Sequence, residues 1–454
     1  MTRAPRPARR TSRAEGGHHE VLIVGGGFAG LYAARDLGRD RRVDLTLVDR
    51  QNHHLFQPLL YQVATGALAP GEIAQPLRSV LRRQRNTTVL LGEAVGIALE
   101  RREVVLSDGG PIAYDTLVVA TGATFSYFGN DEWAPYAPGL KTIDDATEIR
   151  RRILIAFEAA EREGDDRARS AWMTFVIVGG GPTGVELAGA LGEIKNDTLR
   201  RDFRRIFPPS ARILLVEGLE RVLPTYPPDR SRSARRQLEM LGVTVRTGAR
   251  VVGVDGYGVD LETGRGPERV AARTVLWAAG VRSSTFSRTV AAAAGADVDK
   301  SGRVLVRPDL SLPGHPEILV IGDAAVQPWQ PDRPVPGVAQ GAIQAGKHAA
   351  RLIRRRLDGE DAGPFRYGDR GDVAVIGRLR GVTNIPWLGR FGRQGGIVAW
   401  ALWLGIHIAY LIGFSNRLVV LIRWGWSFFT HGRGSRLITG RAALPAIEEP
   451  LPPA

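Results

Sequence analysis

Two glycine loops carry the clearest chemistry in this 454-residue chain. Gly25-Gly26-Gly27-Phe28-Ala29-Gly30 follows the apolar run Val21-Leu22-Ile23-Val24. Gly179-Gly180-Gly181-Pro182-Thr183-Gly184 follows Phe175-Val176-Ile177-Val178. Each reads G-x-G-x-x-G where a buried strand would turn into a helix. The first glycine (Gly25, Gly179) permits the tight turn. The second (Gly27, Gly181) lets the backbone approach a pyrophosphate, and the third (Gly30, Gly184) lets helix and strand pack closely. The helix N-terminus then faces the phosphate charge. An acid closes each unit. Asp49 ends the run Val43–Val48, 19 residues beyond Gly30, the offset expected of a carboxylate that binds a ribose diol. Glu217 ends Ile213–Val216, 33 residues beyond Gly184, because the basic, proline-containing stretch Lys195–Ser210 intervenes. Strand, loop, helix, strand and acid recur in order twice, which chance glycine-rich turns do not supply. Two dinucleotide sites are expected, one holding its ligand permanently and one exchanging it.

Such loops must be held by parallel sheets, so the expected fold class is α/β with two Rossmann-like dinucleotide-binding domains. Further buried strands are expected at Thr87–Val95, at Leu117–Ala120 running into Thr121-Gly122, and at Thr274–Ala279 closing on Gly280. Glu317–Ile321 ends in Gly322-Asp323, and a helix is expected over about Val338–Leu357. The pattern of the first unit thus resumes after the second, which reads as inserted within it. The expected boundaries are 20–130 with 281–385 for the first domain and 131–280 for the second.

Composition bounds the chemistry. There is no cysteine, so thiolate clusters, iron–sulfur ligation and redox disulfides are excluded. The formal net charge of +14 favours anionic partners such as lipid headgroups, nucleic acid or phosphorylated ligands. Residues 1–19 lack an apolar signal core and read as a disordered basic arm, and 441–454 as a flexible tail. His53-His54 has no second pair at ligand spacing, so no metal is expected. Between these lies an apolar stretch, 386–440. Ile397–Phe414 has His407 as its only chargeable residue, and Leu418–Phe429 is a more one-sided segment. Trp387, Trp400, Trp403, Trp424 and Trp426 lie here, flanked by Arg390, Arg393, Arg417 and Arg433. Tryptophan and arginine at the edges of apolar helices mark a membrane interface. Length alone leaves open whether Ile397–Phe414 spans a bilayer or lies in its surface.

The stretch from Asn52 through His53, His54, Phe56, Gln57, Pro58 and Tyr61 to Gly66 closely resembles that of type II NADH:quinone oxidoreductases. So do Gly179–Ala188, Ile321-Gly322-Asp323-Ala324, Ala339-Gln340-Gly341-Ala342-Ile343-Gln344, and the tryptophan-rich tail ending Arg436-Leu437-Ile438-Thr439-Gly440. The resemblance covers about residues 20–440. It implies non-covalent FAD in the first site, held by Gly25, Gly27, Gly30, Asp49, Thr121, Gly122, Gly322, Asp323, Ala339 and Gln340. It implies transient NADH in the second, served by Gly179, Gly181, Gly184, Glu186, Glu217 and Gly280, with Glu186 near the nicotinamide. Gln340 and Gln344, four apart and so on one helical face, would stand at the flavin–quinone junction. Glu186, Gln340 and Gln344 are the implied catalytic residues.

The implied activity is oxidation of NADH by hydride transfer to FAD, then reduction of a membrane quinone (menaquinone or ubiquinone) without proton pumping, as part of a respiratory chain. The tail would make the protein a peripheral one on the cytoplasmic face of the inner membrane, drawn to anionic lipid, and the resemblance leaves a homodimer open. Glu217 favours NADH over NADPH, since a carboxylate repels a 2′-phosphate, although Arg221 stands near it. A soluble electron carrier of ferredoxin or rubredoxin type is the alternative acceptor, but it gives the lipophilic tail no purpose. A nucleic-acid-associated redox sensor would use the basic arm, yet no nucleic-acid-binding module is recognisable and no nucleic acid is expected. Truncation after about Trp387 is expected to leave a soluble flavoprotein that no longer reduces long-chain quinone.

Overall fold

Apolar, β-branched runs bounded by glycine build the two sheets. The computed structural model describes residues 17–330, 333–412, 414–430 and 433–439. Residues 1–16 of the basic arm (1–19) and the whole of the tail (441–454), both assigned above from sequence, lie outside the described residues, as does Gly440. Strand β1 (His19–Val24), helix α1 (Phe28–Leu37) and strand β2 (Val43–Asp49) come first, followed by β3 (Thr87–Leu91) and β4 (Thr116–Val119). Helix α2 (Ile143–Arg162) leads into β5 (Thr174–Val178), α3 (Pro182–Glu193), β6 (Arg212–Glu217), α4 (Pro228–Met240), β7 (Val243–Thr247) and β8 (Thr274–Trp277). Then come β9 (Ser311–Leu312), β10 (His315–Val320), α5 (Ala339–Leu357), a hairpin of β11 (Asp372–Gly377) and β12 (Arg380–Asn384), and helices α6 (Gly396–Tyr410) and α7 (Phe414–Thr430).

The chain divides into two units, the first made of 1–54, 75–124 and 281–368, the second of 55–74, 125–280 and 369–454. The first unit's sheet runs β9-β10-β4-β1-β2-β3, parallel except for the edge strand β9. The register places Val24 against both Val48 and Val119, and Val119 against Val320, so four strands end level at one edge. Helix α5 covers this sheet through α1. A Cβ on Gly346 would lie 2.2 Å from the Ala29 carbonyl oxygen, so only glycine admits so close a crossing. The expected long strand Thr87–Val95 is broken, with a separate strand at Ala94–Ala98.

The second unit repeats the device with a fully parallel sheet in the order β7-β6-β5-β8. Val178 pairs with Val216 and with Trp277, again bringing strand ends level. Segments distant in sequence complete this unit. Residues 55–74 and 369–385, which the sequence boundaries placed with the first domain, fold here instead. The short helix Leu60–Ala64 is buried along its whole length, and the hairpin β11–β12 packs on α3. A Cβ on Gly189 would sit 1.7 Å from the Ile376 carbonyl oxygen, so this glycine lets α3 lie directly on strand β11. The apolar tail is two helices, the first ending at Tyr410 rather than running to Phe414. Among the described residues, no helix is long and apolar enough to cross a membrane.

Candidate active site

At the level strand ends, the two glycine loops have nearly the same geometry. Gly25 and Gly179 both adopt φ +108°, a conformation that side chains strain to reach. Their N–H groups donate to the Val48 and Val216 carbonyls at 2.8 Å each. A Cβ on Gly30 would stand 1.8 Å from the Gly25 oxygen, and one on Gly184 1.8 Å from the Gly179 oxygen, so helix and turn touch as close packing requires. Gly27 and Gly181, in contrast, have nothing within 4 Å of a built Cβ. Each opens on free space at the N-terminus of a helix of ten residues or more, whose first N–H groups carry partial positive charge.

The acids brace the loops. Asp49 accepts from the N–H of Gly26 at 2.5 Å and of Gln51 at 2.7 Å. Glu217 accepts from the N–H of Gly180 at 2.6 Å and of Leu219 at 2.8 Å. Each carboxylate is fixed at a strand end with lone pairs to spare. Burial raises the Asp49 carboxyl from its usual range, a shift opposed by the Gly26 N–H. Strand β4 of the first sheet and β8 of the second each lead into a left-handed glycine, Gly122 at φ +64° and Gly280 at φ +66°. Two open cradles, each with a helix dipole, a bare glycine and a strand-end acid, fit the pyrophosphate and ribose of a dinucleotide.

In the first unit, the Thr121 hydroxyl bonds to that of Ser284 at 2.6 Å. Gly322, at φ +68°, packs its backbone on Ala29, which brings Asp323 beside the first loop. Ala339 and Gln340 open helix α5. One turn on, the Gln344 amide makes a paired contact, donating to the Gly368 carbonyl at 3.0 Å and accepting from the Gly368 N–H at 2.9 Å. Gln344 therefore fixes a backbone loop as well as sharing a face with Gln340.

Glu186 stands apart from the ribose acid of its own unit. It lies buried on α3, and its carboxylate accepts a long bond, 3.4 Å, from the Val375 N–H of β11. The buried Trp403 indole N–H bears on the same carboxyl but falls outside hydrogen-bond geometry. Burial pushes Glu186 up to about 8, opposed by the Val375 N–H, so it holds a proton at neutral pH.

A family model for pyridine nucleotide-disulphide oxidoreductases matches residues 19–346. The type II NADH:quinone oxidoreductase NdhA of Mycobacterium tuberculosis is 45% identical over 437 residues, covering 94% of this chain and 91% of that protein. The Ndh protein of the same organism is 44% identical over 433 residues, covering 94% of this chain and 91% of that protein. The chain belongs to the type II NADH:quinone oxidoreductases. A solved structure of NDH2 from Plasmodium falciparum in complex with NADH shares the fold, with a TM-score of 0.81 at 19% identity, covering 92% of this chain and 99% of that one. Within a family model described by disulphide chemistry, this type II oxidoreductase has no cysteine with which to perform it.

Several residues escaped the sequence reading. His54 is buried, donates from Nδ1 to the Gly26 carbonyl at 3.0 Å and meets the Phe28 ring edge-on at 5.0 Å. Burial holds it down to about 4, so it is a neutral brace under the first loop. The adjacent histidines gave a metal-site question and concealed this packing role. Arg221, which raised doubt about a 2′-phosphate, instead donates to the Tyr226 carbonyl at 3.0 Å and the Pro224 carbonyl at 2.7 Å. Gly189 and Ser284 carried no motif that could have singled them out.

The tail is built into the second unit. Trp424 donates to the Gln62 side-chain oxygen at 2.7 Å, and Arg423 pairs with Glu72 at 3.0 Å. Arg433 is buried, donating to the Thr65 and Ala190 carbonyls and pairing with Glu193 at 2.8 Å. Glu193 ends α3, and a π-helical turn, Ile194–Thr198, follows it.

Proposed function

We propose that this chain oxidises NADH with a tightly held FAD and passes two electrons to a membrane quinone, without proton pumping. The observation that carries this reading is the pair of matched cradles in a cysteine-free member of the family. When bound, FAD supplies what no side chain can, taking two electrons as hydride from NADH and yielding them to a second acceptor. Gly25, Gly27, Gly30, Asp49, Thr121, Gly122, Gly322, Asp323, Ala339 and Gln340 hold the FAD. Gly179, Gly181, Gly184, Glu217 and Gly280 hold NADH, with the Glu217 carboxylate selecting a free 2′-hydroxyl. The spending of Arg221 on backbone carbonyls supports NADH over NADPH. Glu186 keeps a proton on its carboxyl, Gln340 faces the reacting groups, and Gln344 secures the Gly368 backbone beside them.

The quinone reading draws on the tail. Helices α6 and α7 turn Ala399, Trp403, His407 and Val420 inward and leave Ile397, Val398, Leu418, Ile422 and Trp426 exposed. Just before them, the Pro386–Gly392 turn holds out Trp387 and Phe391, 70% and 69% exposed, with the Arg390 guanidinium 5.2 Å from the Phe391 ring centre. An apolar surface of this extent with cationic residues beside it suits the headgroup layer of an anionic membrane. We place it on the cytoplasmic face, where NADH is. A second copy of the chain is the competing occupant, and the mass of the detergent-solubilised protein separates the two.

The test is spectroscopic. The purified protein should carry a flavin spectrum that NADH bleaches and a quinone analogue restores. Bleaching without restoration would leave a soluble carrier as the acceptor. A preparation that cannot be loaded with flavin would remove both readings.

A further inference from the structure

A protein that lies on a membrane meets lipid phosphate before it meets hydrocarbon. The turn Pro386–Gly392, which holds out Trp387 and Phe391, would enter a bilayer through its headgroup layer. A polar cavity adjoins this turn, and its walls suit a single headgroup.

The cavity lies in the second unit and measures about 380 Å³. Pockets for small ligands run from roughly 300 to 1,000 Å³. One wall is the loop between β6 and α4, with Arg221, Thr225 and Tyr226. The other is the end of β12 and the turn after it, with Asn384, Pro386 and Arg393. No lining residue is acidic. Of the acids on the adjoining elements, Asp229 is paired with Arg230 at 2.9 Å, and Asp372, opposite Asn384 in register, stays outside the lining. The second glycine loop, Glu217 and Gly280 take no part, so the cavity is separate from the NADH cradle.

The polar groups of the wall are placed but uncommitted. Tyr226 is 2% exposed, yet its hydroxyl is not one of the sealed interior atoms, so it opens on the cavity it lines. Burial raises the phenol from its usual value, so it keeps its proton to donate. Among the described residues, neither this hydroxyl nor the Asn384 amide has a hydrogen-bond partner, and the exposed Arg393 guanidinium has no carboxylate. An unpaired donor away from water is destabilising, and a ligand oxygen relieves it. Arg221 directs two N–H groups to backbone carbonyls of its own loop, which fixes its position and leaves its charge unneutralised. Two cations with neutral donors alongside them match a phosphodiester that carries hydroxyls. We propose that this cavity binds the headgroup of an anionic glycerophospholipid such as phosphatidylglycerol, with the phosphate on Arg393 and the hydroxyls on Tyr226 and Asn384. The source is lipid rather than a free phosphate ester, because the rim of the cavity is the turn that carries Trp387 and Phe391, where acyl chains would lie. The proposal rests on the membrane reading of that turn.

The test counts bound lipid. Native mass spectrometry is applied to the flavin-loaded full chain, released from neutral detergent micelles doped with phosphatidylglycerol. The parent should hold one such lipid about tenfold more tightly than phosphatidylcholine, whose head carries a cation and no hydroxyl. Arg393→Gln should weaken that binding about tenfold, and the isosteric Tyr226→Phe about threefold. Arg390→Gln removes the same charge from the same turn but outside the cavity, and should change binding by less than about twofold. Equal losses in Arg390→Gln and Arg393→Gln would reduce the effect to surface charge and overturn the site. So would equal binding of the two lipids, displacement by inorganic phosphate at the lipid's own concentration, or displacement by NADH. A parent that fails to sediment with phosphatidylglycerol vesicles would defeat the membrane reading instead, while the lipid count would still decide the cavity.

Discussion

The two matched cradles differ in what they hold, and single residues can tell them apart. Gly27 and Gly181 have ordinary extended backbone, φ −68° and −71°, and open space where a methyl would go. Gly27→Ala should therefore fold normally and lose its flavin, seen as a colourless protein that melts where the flavin-stripped parent does. Gly181→Ala should keep the flavin and raise KM for NADH about tenfold or more, on the order of 1.4 kcal/mol of binding. The reverse pattern would exchange the two assignments. Glu186 makes a second prediction. Its folded value of about 8 lies above its unfolded value near 4.5, so the native state binds this proton more tightly. The stability it confers is complete below about 4.5 and lost as pH rises through 8, on the order of 5 kcal/mol in all. The lowered histidines, His54, His348 and His407, act the other way, with stability lost as pH falls from 6.5 through about 4. Glu186→Gln should accordingly melt about 5 °C above the parent at pH 9 and close to it at pH 5. A constant difference across that range would refute the shift. The cradle glycines and strand-end acids were legible in the sequence, because a tight turn and a ribose contact each demand one residue type at one spacing. The Val375 N–H that meets Glu186 was not, because a hairpin nearly two hundred residues away brings it there.

At the scale of elements, local periodicity gave the strands and helices, and glycine-to-backbone contacts gave their packing. The crossings at Gly346 and Gly189 have no signature beyond a glycine inside a helix, which usually weakens it. The tail shows the same limit. Its apolar character was plain, but which side faces the protein depends on partners at Gln62, Glu72 and Glu193. Those contacts change the experiment. Truncation after Trp387 would remove Trp403 and Leu411 from a buried surface, so it is a test of folding as well as of anchoring. Ile422→Glu with Trp426→Glu, both on exposed positions, should release the protein from membranes with its melting temperature unchanged. Continued sedimentation with vesicles would argue against the anchor. Arg433→Met removes one partner of a buried pair. It should cost about 2 kcal/mol, less than for a fully enclosed pair because Glu193 retains some solvent, and chemical denaturation measures it.

For the whole molecule, the positive balance becomes a statement about surfaces. Binding to vesicles with anionic headgroups should weaken about tenfold between low and high salt, while residual binding to neutral vesicles should not change, as co-sedimentation can show. Two units interleaved along one chain were foreseeable from the return of the first pattern after residue 281. The capture of 55–74 by the second unit was not, since nothing in that stretch's composition names its neighbours.

The Arg433 contact also has a consequence for biosynthesis. The last segment of the first unit ends at 368, so the ribosome has delivered all of that unit while the tail is still to be made. The second unit draws on residues 55–74 and on Arg433, made long after them, and both meet at the end of α3. Its assembly can finish only after Arg433 has left the ribosome. The apolar face that we assign to the membrane emerges just ahead of Arg433, which shortens the time it is exposed to the cytosol on an unfinished unit.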